Sequence, residues 1–273
     1  MTHDAKMYEK FYGFTENPFN MTPDSKYFYP SEEHQEALDR LIYAINERKG
    51  FVVITGEIGS GKTTICRTLL NQLNADTDVA LIFNTHITCK ELIANILDDL
   101  GVEYKNGPKS KLLSQLNNYL INQLSRDRNV VVIIDEAQNL SQRVLEEVRM
   151  LSNLETEKQK LLQVILMGQP ELKEKLRQKS LEQFKQRIWI RYHIEPLTMD
   201  EVTSYINHRL HIAGANGEAI FNEDAVESIY QWSKGIPRLI NFICDNALLS
   251  GYVYNTKTID KKIIEEVIKE KEI

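Results

Sequence analysis

Gly56, Gly61, Lys62 and Thr63 stand at the spacing G-x-x-x-x-G-K-[ST] within GEIGSGKTT, after the apolar run FVVIT and before the helix-forming run TTICRTLLNQL. Those residue types at that spacing suit one task. Glycines let the successive backbone N–H groups of Gly56, Glu57, Ile58, Gly59, Ser60 and Gly61 turn inward as an anion nest, and the following helix adds its positive end. Lys62 is expected to reach the β- and γ-phosphates of a bound polyphosphate. The Thr63 hydroxyl is suited to Mg²⁺, and Thr64 assists at the α-phosphate. A glycine-rich turn of no special role is the alternative, but the strand before and the helix after are the context that phosphate binding requires.

A second set of residues has the chemistry to act on that phosphate. VVVIIDEAQ reads as a buried strand ending in Asp135 and Glu136. A strand can end in acids merely because it reaches solvent. Beside a phosphate loop, however, Asp135 is suited to hold Mg²⁺ through its water shell and Glu136 to polarise an attacking water. An acid in that second position favours hydrolysis over transfer to a small acceptor, so a small-molecule kinase is the weaker reading. Gln169, in MGQPEL, falls at the carboxyl end of a strand, where open α/β sheets bind ligands. Its amide either orients water or caps the turn before Pro170. In KQRIWIRYH, Arg187 precedes a strand and is expected to act as an arginine finger on a neighbour's nucleotide, with Arg191 as the rival. Arg238, in GIPRLIN, falls in the first turn of a helix, a position the helix dipole disfavours unless an anion is bound. A surface salt bridge is the alternative there.

The elements that must position these groups show as changes of apolar period. Residues 51–55, 79–83, 130–134, 161–167 and 188–194 read as strands separated by helical stretches. That alternation implies a parallel five-stranded sheet with helices on both faces. Thr88 with Glu91 and Thr198 with Glu201 form capping boxes, and Gly50, Gly101 and Gly214 read as helix stops. After Pro196 the strand-like runs cease, and helices are expected to begin at about residues 198, 222, 237 and 260. The expected domains are therefore an α/β domain over 31–195 and a small all-α lid over 196–273. Residues 1–30 carry Tyr8, Phe11, Tyr12, Phe14, Phe19, Tyr27, Phe28 and Tyr29 with Pro18, Pro23 and Pro30, which predicts an extended aromatic strap over the α/β domain.

The chain of 273 residues, 42% apolar and 26% charged, has the composition of a globular protein with a sizeable core. Its net charge of −6 argues against a surface that attracts nucleic acid over its whole area. Cys66, Cys89 and Cys244 have no metal-ligand spacing and read as reduced core thiols. The opening residues have no continuous apolar segment, and the longest apolar runs are far short of the ~20 residues a membrane-spanning helix needs. A cytoplasmic location without a direct membrane span is expected.

Together, the phosphate loop, Asp135–Glu136, Gln169, Arg187 and Arg238 resemble the AAA+ ATPases. FYGFTENPFNMTPDSKYFYPSEEHQEAL, GQPEL, FKQRI and GIPRLINFICDNALL look like the ATPase domain of ExeA-type proteins, the general secretion pathway protein A family. The resemblance covers almost the whole chain. It implies ATP and Mg²⁺ as cofactors, self-association into a ring or nucleotide-dependent oligomer, and work on an envelope machine for secretion, pilus or exopolysaccharide export. It also implies a strap and lid that enclose adenine, with Pro18 and Phe19 near the base. Two departures are visible: the family's membrane helix and peptidoglycan-binding domain have no counterpart in this chain, so a membrane-anchored partner is expected to recruit it to the inner membrane. The first sensor is more often a shorter polar residue than Gln169. The competing reading is an ATP-timed DNA-binding switch of the transposition-helper or origin-recognition type. Its basic candidates, residues 173–179 and 185–191, are diluted in sequence by Glu171, Glu174 and Glu182.

Overall fold

The computed structural model describes residues 7–157 and 159–271. They form two compact units. One gathers the chain up to His34, Glu57–Arg67 and the chain from Glu195, and the other consists of Gln35–Gly56 and Thr68–Ile194.

The second unit is built on a parallel sheet of five strands: β1 (Phe51–Gly56), β2 (Thr77–Ile82), β3 (Asn129–Ile134), β4 (Gln163–Gly168) and β5 (Ile188–Ile194). Their order is β2-β3-β4-β1-β5. All five apolar runs of the sequence are strands, four of them with shifted ends and β5 with the ends expected. β2 takes in Thr77 and Asp78 and stops before Phe83, because the β2–β3 ladder opens at Thr77 opposite Asn129 and closes at Ile82 opposite Ile134. β4 starts at Gln163 instead of residue 161, since the Leu161 N–H is taken by the Leu154 carbonyl and Lys160 bridges Glu155.

β1 and β4 are buried at every residue, as strands inside a parallel sheet must be when both faces are covered. Val53, Val132, Ile134, Val164 and Leu166 meet helices Cys89–Asp99, Lys109–Ser125 and Gln142–Leu151 in one apolar core. The Thr88–Glu91 capping box starts the first of these helices. Lys109–Ser125 has no such announcement, because its N-cap is Pro108 and no side chain caps it. Cys66 and Cys244 are buried thiols, whereas Cys89, at the first helix's start, is only half-buried.

In the first unit, helices Met199–Ile212, Glu223–Ser233, Pro237–Val253 and Lys261–Lys271 share an apolar core with the aromatic N-terminal segment. The expected extended strap over the α/β domain is corrected in two respects. Met7–Tyr12 is a short helix, and Tyr8, Tyr12, Phe14 and Phe19 are buried in the core of the helical unit. Tyr8 and Tyr12 lie one turn apart on one helical face, which suits burial of both rings. Polar anchors hold the segment: Tyr8 Oη donates to Asp245, Asn17 Nδ2 donates to Asp245 at 2.9 Å, and Arg209 Nε donates to the Pro18 carbonyl at 2.5 Å. The Arg209 guanidinium also stacks over the Tyr27 ring, 4.5 Å from its centroid.

Candidate functional site

The phosphate loop begins where β1 ends, and its helix, Lys62–Gln72, begins at the lysine. Gly59 and Gly61 have φ of +82° and +94°, values that only glycine adopts without strain. Tertiary contacts impose a second requirement at both. A Cβ on Gly59 would meet Arg238 Cβ at 2.5 Å, and one on Gly61 would meet His34 Nε2 at 2.9 Å. Lys62 is buried, and its Nζ donates to the Glu57 carbonyl at 2.8 Å, the carbonyl that also accepts from Ser60 N–H at 3.1 Å. Thr63 and Thr64 are half-buried, while Glu57 and Ile58 are exposed. Ser60 Oγ is buried without a hydrogen-bond partner, a polar group left over in a cradle of backbone amides. The fit to a polyphosphate is good: a buried ammonium, two left-handed glycines and an unsatisfied hydroxyl stand at the start of a helix.

Arg238 is placed at this loop. It follows Pro237 at the start of its helix, and its backbone N–H donates to the Gly59 carbonyl at 3.2 Å. Pro18 and Phe19 belong to the same unit, but the Phe19 ring is fully buried and sits edge-on to Phe221, 6.1 Å away.

His34 is a residue that motif reading misses. Its Nδ1 lies 2.6 Å from Ser31 Oγ, its Nε2 lies 2.8 Å from the Ser60 carbonyl, and it is 6% exposed. A signal was present in the sequence. Ser31 caps helix Glu32–Asn46, its Oγ accepting the His34 N–H at 3.3 Å, and histidine stands where a capping box has Glu or Gln.

Burial holds the His34 pKa below its usual value of 6.5; the Ser60 bond and the Glu201 and Glu33 carboxylates oppose the shift. Burial lowers His208 in the same direction. Above pH 6.5 both folded and unfolded chains leave these rings neutral, so they contribute nothing. Below it the unfolded chain takes up protons that the folded chain resists, and stability falls. Thermal midpoints measured from pH 7.5 down to 5.5 are expected to drop less steeply in His34→Gln than in the wild type. Equal slopes would show that His34 is not held neutral.

In the sheet unit, Asp135 is buried after β3, and Glu136 follows in the left-handed region at φ +51°. That conformation costs a non-glycine residue on the order of 1 kcal/mol and is tolerated where surrounding contacts impose it. Here they do. Asp135 Oδ1 accepts the Glu136 N–H at 2.9 Å, and Glu136 Oε2 accepts from Gln138 Nε2 at 2.5 Å and Gln169 Nε2 at 3.0 Å. Gln169 N–H donates in turn to Gln138 Oε1 at 3.1 Å. The structure thus brings Glu136 and Gln169 together and adds Gln138, which the motif contains without marking it. A Cβ on Gly168 would meet Gln138 Oε1 at 2.8 Å, so this glycine makes room for the network. The arrangement presents a carboxylate with its orientation locked by two amides, suited to aligning one water.

The two arginines before and within β5 are held differently. Arg187 is half-buried and donates to Asn153 Oδ1, with Ser152 Oγ 3.5 Å away. Arg191 is exposed and donates to the Lys185 carbonyl. Because the strands are parallel, Arg187 lies at the opposite end of the sheet from Asp135 and Gln169, about 20 Å away at the usual strand rise. It is not part of their cluster within one chain. Among the described residues, no group of three or more His, Cys, Asp or Glu is placed to hold a metal. A Mg²⁺ ion that draws most of its ligands from phosphate and water needs none.

Residues 45–176 match the model of a family described as AAA domain. General secretion pathway protein A of Aeromonas hydrophila is 45% identical over 93% of this chain and 46% of its own length. The chain spans less than half the length of the curated relatives it matches. Among solved structures, the Aeropyrum pernix ORC2 protein in ADPNP-ADP complexes superposes with a TM-score of 0.70 at 14% identity, covering 94% of this chain and 72% of that one. Drosophila ORC bound to DNA gives 0.69 at 18% identity, over 95% of this chain and 67% of that one. At such identities these two speak for the fold alone.

Proposed function

We propose that the chain, which matches the AAA domain model over residues 45–176 and is related to general secretion pathway protein A, acts as an AAA+ P-loop ATPase that binds ATP with Mg²⁺ and hydrolyses it to ADP and phosphate. The observation that carries this reading is the phosphate loop, with Lys62 buried against the Glu57 carbonyl and Arg238 packed on Gly59. In it, residues 56–64 grip the phosphates, Thr63 and Asp135 serve Mg²⁺, and Glu136, oriented by Gln138 and Gln169, aligns the attacking water. Arg238 senses the phosphate from its helix start, and Pro18 and Phe19 belong to the segment that meets adenine. Arg187 serves a neighbouring copy in a nucleotide-dependent oligomer, which requires its contact with Asn153 to open. Release of inorganic phosphate from ATP by the purified chain, measured with and without Mg²⁺, tests the reading. No Mg²⁺-dependent phosphate above the background of uncatalysed ATP would overturn it.

The work done with that energy is the assembly or positioning of a bacterial envelope machine for secretion, pilus or exopolysaccharide export. The 45% identical relative supports this role. No helix among the described residues is long and apolar enough to cross a membrane, so the proposal places the chain in the cytoplasm, recruited by a membrane-anchored partner.

A second reading, an ATP-timed switch on DNA, is favoured by one feature. Lys173, Arg177, Lys185 and Arg191 line a cavity of about 360 Å³ floored by Val53, Leu176 and Ile188. No carboxylate lines it. The acids that dilute these stretches in sequence, Glu171, Glu174 and Glu182, are exposed and are not among its lining residues. Such a cluster on a chain of net charge −6 suits phosphate oxygens. If DNA is bound there, retention on duplex DNA falls steeply between 50 and 200 mM salt, and Lys173→Glu with Arg177→Glu weakens it by about 10-fold or more. No retention even at low salt removes this reading.

A further inference from the structure

We propose that His34 is a positioning residue for the phosphate loop: its ring holds the Ser60 carbonyl outward and thereby keeps the Gly61 amide aimed at the bound phosphate. The proposal rests on the reading that this loop binds ATP.

The geometry defines the ring's state. A carbonyl oxygen only accepts, so the 2.8 Å contact with Ser60 requires the proton on Nε2. In the neutral ring Nδ1 then accepts from the Ser31 hydroxyl, 2.6 Å away. Ser31 is itself fixed as the cap of the helix that carries His34, and the Phe28 ring closes edge-on over the imidazole at 6.5 Å. Both ring nitrogens are satisfied, and the side chain is buried. Burial disfavours the imidazolium, in keeping with this tautomer.

The consequence follows from the planarity of the peptide. In a trans peptide the carbonyl of Ser60 and the N–H of Gly61 point in opposite directions, so anchoring one aims the other. An anchor is needed here because Gly61, at φ +94°, has the freedom that makes a flip of the Ser60–Gly61 peptide cheap. The flipped form would present a carbonyl oxygen to the phosphate, replacing an attractive dipole with a repulsive one. The same contact explains why position 61 excludes a side chain, since any Cβ would press on Nε2. Two other loop carbonyls are secured as well: Glu57 accepts from Lys62, and Gly59 accepts from the Arg238 N–H. His34 supplies the corresponding bond at Ser60. It does not touch the nucleotide.

The test compares ATP affinity by titration calorimetry in the wild type, His34→Ala, His34→Asn and His34→Gln, with Lys62→Ala as the non-binding reference. Glutamine places an amide N–H near the position of Nε2, whereas asparagine reaches only to the position of Nδ1. ATP affinity is expected to weaken about 10- to 100-fold in His34→Ala and His34→Asn and to return to within about 3-fold of the wild type in His34→Gln. The asparagine–glutamine pair carries the test if alanine disturbs folding, which thermal midpoints report. A readout without nucleotide is the ¹⁵N spectrum of the His34 ring, expected to show Nε2 protonated and Nδ1 bare. Equal affinity in all three variants, or a proton on Nδ1, overturns the proposal while ATP binding by the wild type stands. A wild type that binds no ATP overturns the reading of the loop itself, and the proposal falls with it.

Discussion

Lys62→Ala is expected to abolish measurable ATP binding while leaving the fold intact. Lys62 provides the buried positive charge of the loop, and charge-assisted bonds to phosphate oxygens are among the stronger polar contacts a protein makes. Losing such bonds from a buried site costs about 3 kcal/mol or more, which is a weakening of roughly 100-fold or greater. Stability should change little. Without ligand, Nζ is held by the Glu57 carbonyl, and that carbonyl keeps the Ser60 N–H as its donor after the substitution. Calorimetry with ATP and Mg²⁺ checks the first half, and a thermal midpoint within a few degrees of the wild type checks the second. A variant that binds ATP at wild-type affinity would remove the phosphate loop from the mechanism.

Glu136→Gln is expected to retain ATP and lose turnover. The carboxylate Oε2 accepts two amide hydrogens, from Gln138 and Gln169, and the carbonyl oxygen of a glutamine accepts the same pair. The left-handed backbone at this residue demands nothing that distinguishes glutamate from glutamine. The substitution therefore keeps the shape and removes only the basicity, and general-base catalysis contributes about 10²- to 10⁴-fold. Phosphate release is expected to fall by that factor with ATP affinity unchanged within a few fold. Turnover within a factor of three of the wild type would mean that Glu136 does not activate the water. The trapped complex also discriminates between the two readings of what the proposed activity serves. Envelope proteins recovered on the ATP-held variant support the assembly role, and duplex DNA retained in their place supports the switch.

Much of this was legible in residue order. Five apolar runs were five strands, because a strand buried on both faces has no alternative to continuous apolar residues. Both capping boxes formed, since each is a contact across three residues. Arg238 came to the loop from the other end of the chain, and only its awkward place at a helix start gave notice. The N-terminal aromatics advertised burial without saying where; Phe19 went into the helical core, against Phe221. Neither His34 nor Gln138 lies within a motif that names its role.

The order of amino acids by itself determined a loop of left-handed glycines ahead of a lysine-led helix, the feature on which the proposal of polyphosphate binding rests. Such features depend on backbone dihedrals and on neighbours a few positions away. The tertiary structure alone decided which side chains would discipline that chemistry. Gln169 and Gln138 converge on Glu136 because β4 lies beside β3 in the sheet, and Lys173 and Arg177 of one short helix and its end, Lys185 of another and Arg191 of β5 line one cavity although they are separated in sequence. His34 meets Ser60 only once the chain has folded back over the residues between them. Contacts of that kind depend on strand order and packing, which no local spacing encodes.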